Sequence, residues 1–140
     1  MAIYNVHTTL RDIGAQTINT AGVHQFVADE PTRFRGTDAG PNPVQYLLGA
    51  VGACLGASAA SLVHRPGSNI KVEEFEVEVT GETERFADKS SRVKSIHVKL
   101  TCHTNLDKEG NDRFIEDTIH LCTVHNTLKD SVEFTFEITD

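Results

Sequence analysis

From Val44 to Val63 the chain runs for twenty residues without a charged side chain: "VQYLLGAVGACLGASAASLV". That is long enough to cross a bilayer as a helix, so the run must be buried either in lipid or in protein. Gln45, Ser58, Ser61 and the glycines dilute its hydrophobicity, and neither Trp nor a basic cluster anchors its ends. Amphipathic strands on both sides also need an apolar partner to cover them. The expectation is a helix buried in a large core, with no membrane. Asn42 can cap its start, and Pro43 suits the first helical position, where its missing N–H is not needed. At 3.6 residues per turn Gly49, Gly52, Ala53, Gly56 and Ala60 share a smooth face, with Leu47, Val51, Cys54 and Ser58 roughly opposite. Each glycine weakens such a helix by about 1 kcal/mol relative to Ala, so close packing must compensate.

Beyond the helix the pattern changes to strand. Phe75, Val77 and Val79 alternate with Glu74, Glu76 and Glu78; Ile96, Val98, Leu100 and Cys102 form a second inward row. Val132, Phe134, Phe136 and Ile138 form a third. Such period-two alternation marks half-buried strands. Between the second and third runs, "GNDRFIEDTIHLCTV" places Ile115, Ile119 and Cys122 on one helical face, with Asn111 as the expected cap. Before the long helix, "IYNVHTTL" and "AQTINT" read as short strands, and "HQFVADEP" as a third ending before Pro31. This order predicts an α+β fold with helix packed on antiparallel sheet.

The chain has 140 residues, 39% hydrophobic and 24% charged, the makeup of one globular domain spanning 1–140. Its net charge of -7 and scattered Lys and Arg argue against nucleic acid or anionic lipid as partner. "MAIYNVHTTLRDIG" lacks the basic flank and apolar stretch of a signal peptide, and three cysteines make an odd count. Together these predict a reducing, cytoplasmic setting.

Several motifs fail on geometry. "GASAA" resembles a nucleophile elbow without its last glycine, but Ser58 lies deep in the expected helix. His120 and Cys122 point about 200° apart on a helix, so with His125 they make a poor metal set unless the helix breaks. No metal and no cofactor are expected. Among the thiols, Cys102 reads as a small buried hydrophobe; Cys54 and Cys122 remain open between packing and chemistry.

Two longer stretches bear on that choice. "FVADEPTRFRGTDAGPNPVQYLLGAVGACLG", and "LCTVHNTL" before the last strand, resemble the OsmC/Ohr family over most of the chain. The resemblance implies an intertwined homodimer with two helices, the long one buried at its centre. It implies thiol-dependent reduction of organic hydroperoxides, and of hydrogen peroxide, in oxidative-stress defence. Cys54 would be the peroxidatic nucleophile, Cys122 the resolving thiol, and Arg11 of "LRDIG" the cation beside the nucleophile. Arg33 and Arg35 are weaker substitutes for it. Gln45, Val51 and His125 would line the substrate pocket, and an external dithiol would reduce the disulfide. The sequence also departs from the pattern. Val44 and Gln45 stand where peroxidase members carry a Glu that holds the arginine, and Thr123 replaces a proline. Gln45 can accept a hydrogen bond but supplies no charge. The alternative is an OsmC-like protein that binds a small apolar ligand without turnover.

Overall fold

A computed structural model describes residues 1–140. The chain divides into two compact units, Met1–Tyr46 and Leu47–Asp140. The boundary falls within the first turn of the long helix.

The first unit is a three-stranded antiparallel sheet in chain order: β1 (His7–Leu10), β2 (Thr17–Ala21) and β3 (His24–Ala28). β1 and β3 fall inside the stretches expected to be strands, and β2 runs one residue past its own, to Ala21. Asn19, on the central strand, is buried and fully engaged. It accepts from the Thr8 hydroxyl at 2.7 Å and donates to the Phe26 carbonyl at 3.2 Å. Beyond β3 the chain wraps around Asp29, which is 1% exposed. Oδ1 accepts from the backbone N–H of Ala15 (3.1 Å) and Glu30 (2.8 Å). Oδ2 accepts from Thr37 N (3.1 Å), Thr37 Oγ1 (2.6 Å) and Ala39 N (3.0 Å). The wrap is tight enough that a Cβ at Gly36 would stand 1.8 Å from the Glu30 carbonyl oxygen, so only glycine fits there.

The long helix α1 (Pro43–Val63) begins where Asn42 and Pro43 predict. Asn42 Oδ1 accepts from Gln45 N at 2.8 Å, and Gln45 Oε1 accepts from Asn42 N at 2.9 Å. This is a reciprocal capping box with Asn and Gln in the two roles. The Tyr46 hydroxyl donates to the Val27 carbonyl at 2.6 Å.

The second unit contains the rest of α1, then β4 (Val72–Arg85), β5 (Ser91–Thr104), α2 (Lys108–Leu121), α3 (Thr123–Leu128) and β6 (Glu133–Thr139). Ile96, Val98, Leu100 and Cys102 are all buried, as their alternation requires. Val51 and Leu55 of α1 pack with Ile96, Val98, Cys122 and Val132, while Ala59 and Leu62 pack with Leu100, Cys102, Phe114 and Ile115.

Four expectations are corrected. The sheet is not wholly antiparallel: β4 pairs antiparallel with β5, but β5 pairs parallel with β6. A parallel neighbour needs a crossover, and α2 and α3 supply it. There are three α-helices rather than two, because the backbone leaves helical geometry at Cys122 (φ -69, ψ 104) and ends the stripe from Ile115 and Ile119. Asp107, not Asn111, caps α2, its carboxylate accepting from Gly110 N at 2.8 Å. Asn111 is instead buried inside the helix and donates to the Cys102 carbonyl at 3.0 Å. Finally, α1 is not buried all round. Val51, Leu55, Ser58, Ala59 and Leu62 are buried, whereas Gly49, Ala53 and Ala60 of the small-residue face are exposed. By length and composition α1 is also apolar enough to cross a membrane.

Candidate thiol site

Cys54 and Cys122 come together within the second unit. Cys54 projects from the middle of α1, half-buried, against the apolar cluster that contains the fully buried Cys122. The Cys54 thiol is near enough to raise the pKa of Cys122. The break between α2 and α3 is what places Cys122. Its backbone N–H closes α2 on the Ile119 carbonyl at 3.2 Å, and its sulfur accepts from the His125 backbone N–H at 3.5 Å. Val51, Leu55, Val98, Phe134 and Phe136 belong to the same cluster, so the pair is held in apolar surroundings.

That environment decides protonation. Burial first, and then the neighbouring Cys54, push the Cys122 thiol up to about 11, against a lowering contribution from the His125 N–H. Cys122 is therefore a neutral S–H at neutral pH, able to donate to a sulfur anion. Cys102 is also pushed up to about 11, by burial alone, among the apolar side chains of β5 and α2. It behaves as the small hydrophobe its alternation indicates.

The remaining residues expected at the site fall in several places. Val51 is fully buried in the core cluster of the cysteine pair. The His125 ring meets Phe134 and Phe136 edge-on, with centroids 4.7 and 5.3 Å away. Burial, with the charge of Lys129, holds its pKa below the ordinary value, so the imidazole is neutral at neutral pH. Gln45 is engaged in the capping box. Arg11, in the first unit, is exposed and donates from Nη1 to Gln16 Oε1 at 3.0 Å. Arg33 lies over its neighbour Phe34, 5.0 Å from the ring centre, and Arg35 sits in a left-handed turn at φ 67. No three His, Cys, Asp or Glu side chains converge as metal ligands would. A groove of about 420 Å³ at the C-terminal end of α1 is lined by Leu62, Ile70 and Phe114, with Arg65 and Arg113 at its edge, and touches neither cysteine of the pair.

Sequence reasoning missed the polar set of Gln16, Asp29 and Thr37. The one available signal was Asp29 standing directly after an apolar strand residue and followed by Gly36 and Thr37, too diffuse to single out.

Residues 36–137 match the family model for OsmC-like proteins, so the chain belongs to the OsmC-like family. The sequence matches no curated protein. Among solved structures it is similar to an OsmC-like protein from Mycoplasma pneumoniae, with 21% identity, a TM-score of 0.81, and coverage of 99% of this chain and 95% of that one. It is also similar to an organic hydroperoxide resistance protein from Elizabethkingia anophelis, at 15% identity and a TM-score of 0.76, covering 100% and 97% of the two chains. For the organic hydroperoxide resistance protein OhrB of Bacillus subtilis the values are 16% and 0.63, with 99% and 98% covered. At these identities the likeness establishes a shared fold.

Proposed function

We propose that the protein is a dimeric, two-cysteine peroxidase that reduces organic hydroperoxides in the cytoplasm, with Cys54 as nucleophile and Cys122 as resolving thiol. The observation that supports this reading is the packing of Cys54 against the apolar cluster that contains Cys122, a residue far from it in sequence. Apolar surroundings suit an organic hydroperoxide. In the first step the Cys54 thiolate attacks the outer peroxide oxygen, the O–O bond breaks, and the alkoxide takes a proton and leaves as alcohol. Cys54 is then a sulfenic acid. Cys122 attacks that sulfur, an S–S bond forms, and hydroxide leaves as water with the Cys122 proton. An external dithiol restores both thiols by exchange.

A free thiol is mostly protonated at neutral pH, so the reactive anion needs help. Cys54 lies beyond the first turn of α1, where the helix dipole has faded. Arg11 is the cation we assign, because a guanidinium stays charged and can steady both sulfur and departing oxygen. The dimer is supported by what each unit leaves uncovered. Met1, Ile3, Tyr4, Val6, Leu10 and Ile13 are exposed in the first unit, and Gly49 and Gly56 of α1 have no side-chain or backbone neighbour within 4 Å of an added Cβ. Sedimentation should therefore give twice the chain mass, and Gly56→Leu should shift it toward monomer.

A second reading, a binding protein for a small apolar ligand, is favoured by Val44 and by the use of Gln45 in the cap, which together leave no acid in the first turn of α1. One equivalent of organic hydroperoxide separates the two. The peroxidase forms a Cys54–Cys122 disulfide that dithiol reverses; an unchanged thiol count selects the binding protein. Cys54→Ser should abolish peroxide consumption. Cys122→Ser should permit one turnover and then accumulate sulfinic acid, seen by mass spectrometry.

A further inference from the structure

Arg11 is held twice by one residue. Its backbone N–H donates to the Gln16 carbonyl at 2.9 Å, and its guanidinium donates to the Gln16 side-chain Oε1 at 3.0 Å. Gln16 is itself only 8% exposed, and its Nε2 donates to Thr37 Oγ1 at 2.7 Å. Thr37 Oγ1 in turn donates to Asp29 Oδ2 at 2.6 Å. The direction of this chain is fixed by its ends. A carboxylate can only accept, so the Thr37 hydroxyl must give its hydrogen to Asp29. Its lone pairs then face Gln16, which must present its NH₂ there and turn its carbonyl oxygen outward. A guanidinium can only donate, and that oxygen is what it meets. Asp29 is itself locked by four backbone N–H donors, so the far end does not move.

We infer that Gln16, anchored through Thr37 to the buried Asp29 carboxylate, is the positioning residue for Arg11, holding the guanidinium by a neutral acceptor that leaves its positive charge uncompensated. The inference rests on the reading of Arg11 as the cation that favours the Cys54 anion. It gives a chemical sense to the missing acid in the first turn of α1. A carboxylate partner would hold an arginine firmly but also cancel much of its charge. An amide gives weaker attachment, and the weakness is offset by fixing the amide from behind. The reaction needs an arginine that is both placed and charged, and this relay supplies both with an amide, not an acid, touching the guanidinium.

The test is the rate of Cys54 alkylation by iodoacetamide across pH, read by peptide mass, because it reports the thiolate whether or not peroxide turns over. Gln16→Leu and Thr37→Val, both close in shape to the originals, should each slow alkylation at neutral pH about tenfold and move the rate profile to higher pH, as loss of a nearby opposite charge does. Thr37→Ser, which keeps the hydroxyl, should restore it. Gln16→Leu added to Arg11→Ala should change nothing further. Wild-type rates in Gln16→Leu and Thr37→Val, an unaltered rate in Arg11→Ala, or equal slowing by Gln16→Leu with and without Arg11 would each overturn the relay. If the expected alkylation pattern is found but wild-type protein consumes no hydroperoxide, the relay stands and the peroxidase reading falls.

Discussion

The two units of this chain are held together by different forces. In Leu47–Asp140 the buried set is mainly apolar: Val51, Leu55, Leu62, Ile96, Val98, Leu100, Phe114 and Ile115. In Met1–Tyr46 Ala28 is the one buried hydrophobic residue, and Gln16, Asn19 and Asp29 occupy the interior. The second unit thus rests on non-directional burial, worth roughly 1.5–3 kcal/mol for each large side chain. The first rests on directional hydrogen bonds, each worth less on balance but costly to leave unmade. The difference suits the proposed chemistry. A thiol pair benefits from a dry, close-packed setting, whereas an arginine needs a polar framework to aim it.

Leu55→Ala tests the apolar half and should have the largest effect. Leu55 is fully buried in the cluster that holds both cysteines, and removing it should cost about 3–4 kcal/mol in denaturant unfolding. A loss well below about 1 kcal/mol would mean that the site collapses easily and is not a close-packed core.

The polar half should break by acid. The hydrogen bond from the Thr37 hydroxyl, opposed by burial and aided by the N–H groups of Ala39, Glu30 and Thr37, holds the Asp29 carboxyl well below the ordinary carboxylate range. A lowered native pKa contributes stability above the unfolded value near about 4, and that stability is lost as pH falls toward the native one. Amide exchange at Ala15, Glu30, Thr37 and Ala39 should therefore accelerate below about pH 4 before the amides of β5 respond. Asp29→Asn should give the same local loosening at neutral pH. Simultaneous loss across both units would mean that they do not differ in this way.

The smallest effect is expected at the start of α1. Asn42→Ala removes one half of the capping box and should cost about 1 kcal/mol, measured by thermal unfolding. Restoration by Asn42→Ser would show that the lost contribution is the cap.

Much of the second unit was legible because its periodicities are long and regular. Fourteen-residue strands with glutamates opposite Phe75, Val77 and Val79 leave little choice of face. In the first unit Pro43 after Asn42 marks a helix start. The break at Cys122 was hidden, since Thr123 onward is itself helical and a one-residue kink leaves no mark on an apolar stripe. The parallel pairing of β6 was hidden as well, because alternation gives the same signal in either direction.

Taken alone, the sequence determined which face of the long central strand goes inside: the repeated spacing of Ile96, Val98, Leu100 and Cys102 converts directly into a buried row. Only the folded chain decided what those residues meet. The packing of Cys54 against the cluster of Cys122, and the hydrogen-bond path from Asp29 to Arg11, join positions distant along the chain. Such meetings depend on where strands and helices finally pack, which no local pattern encodes.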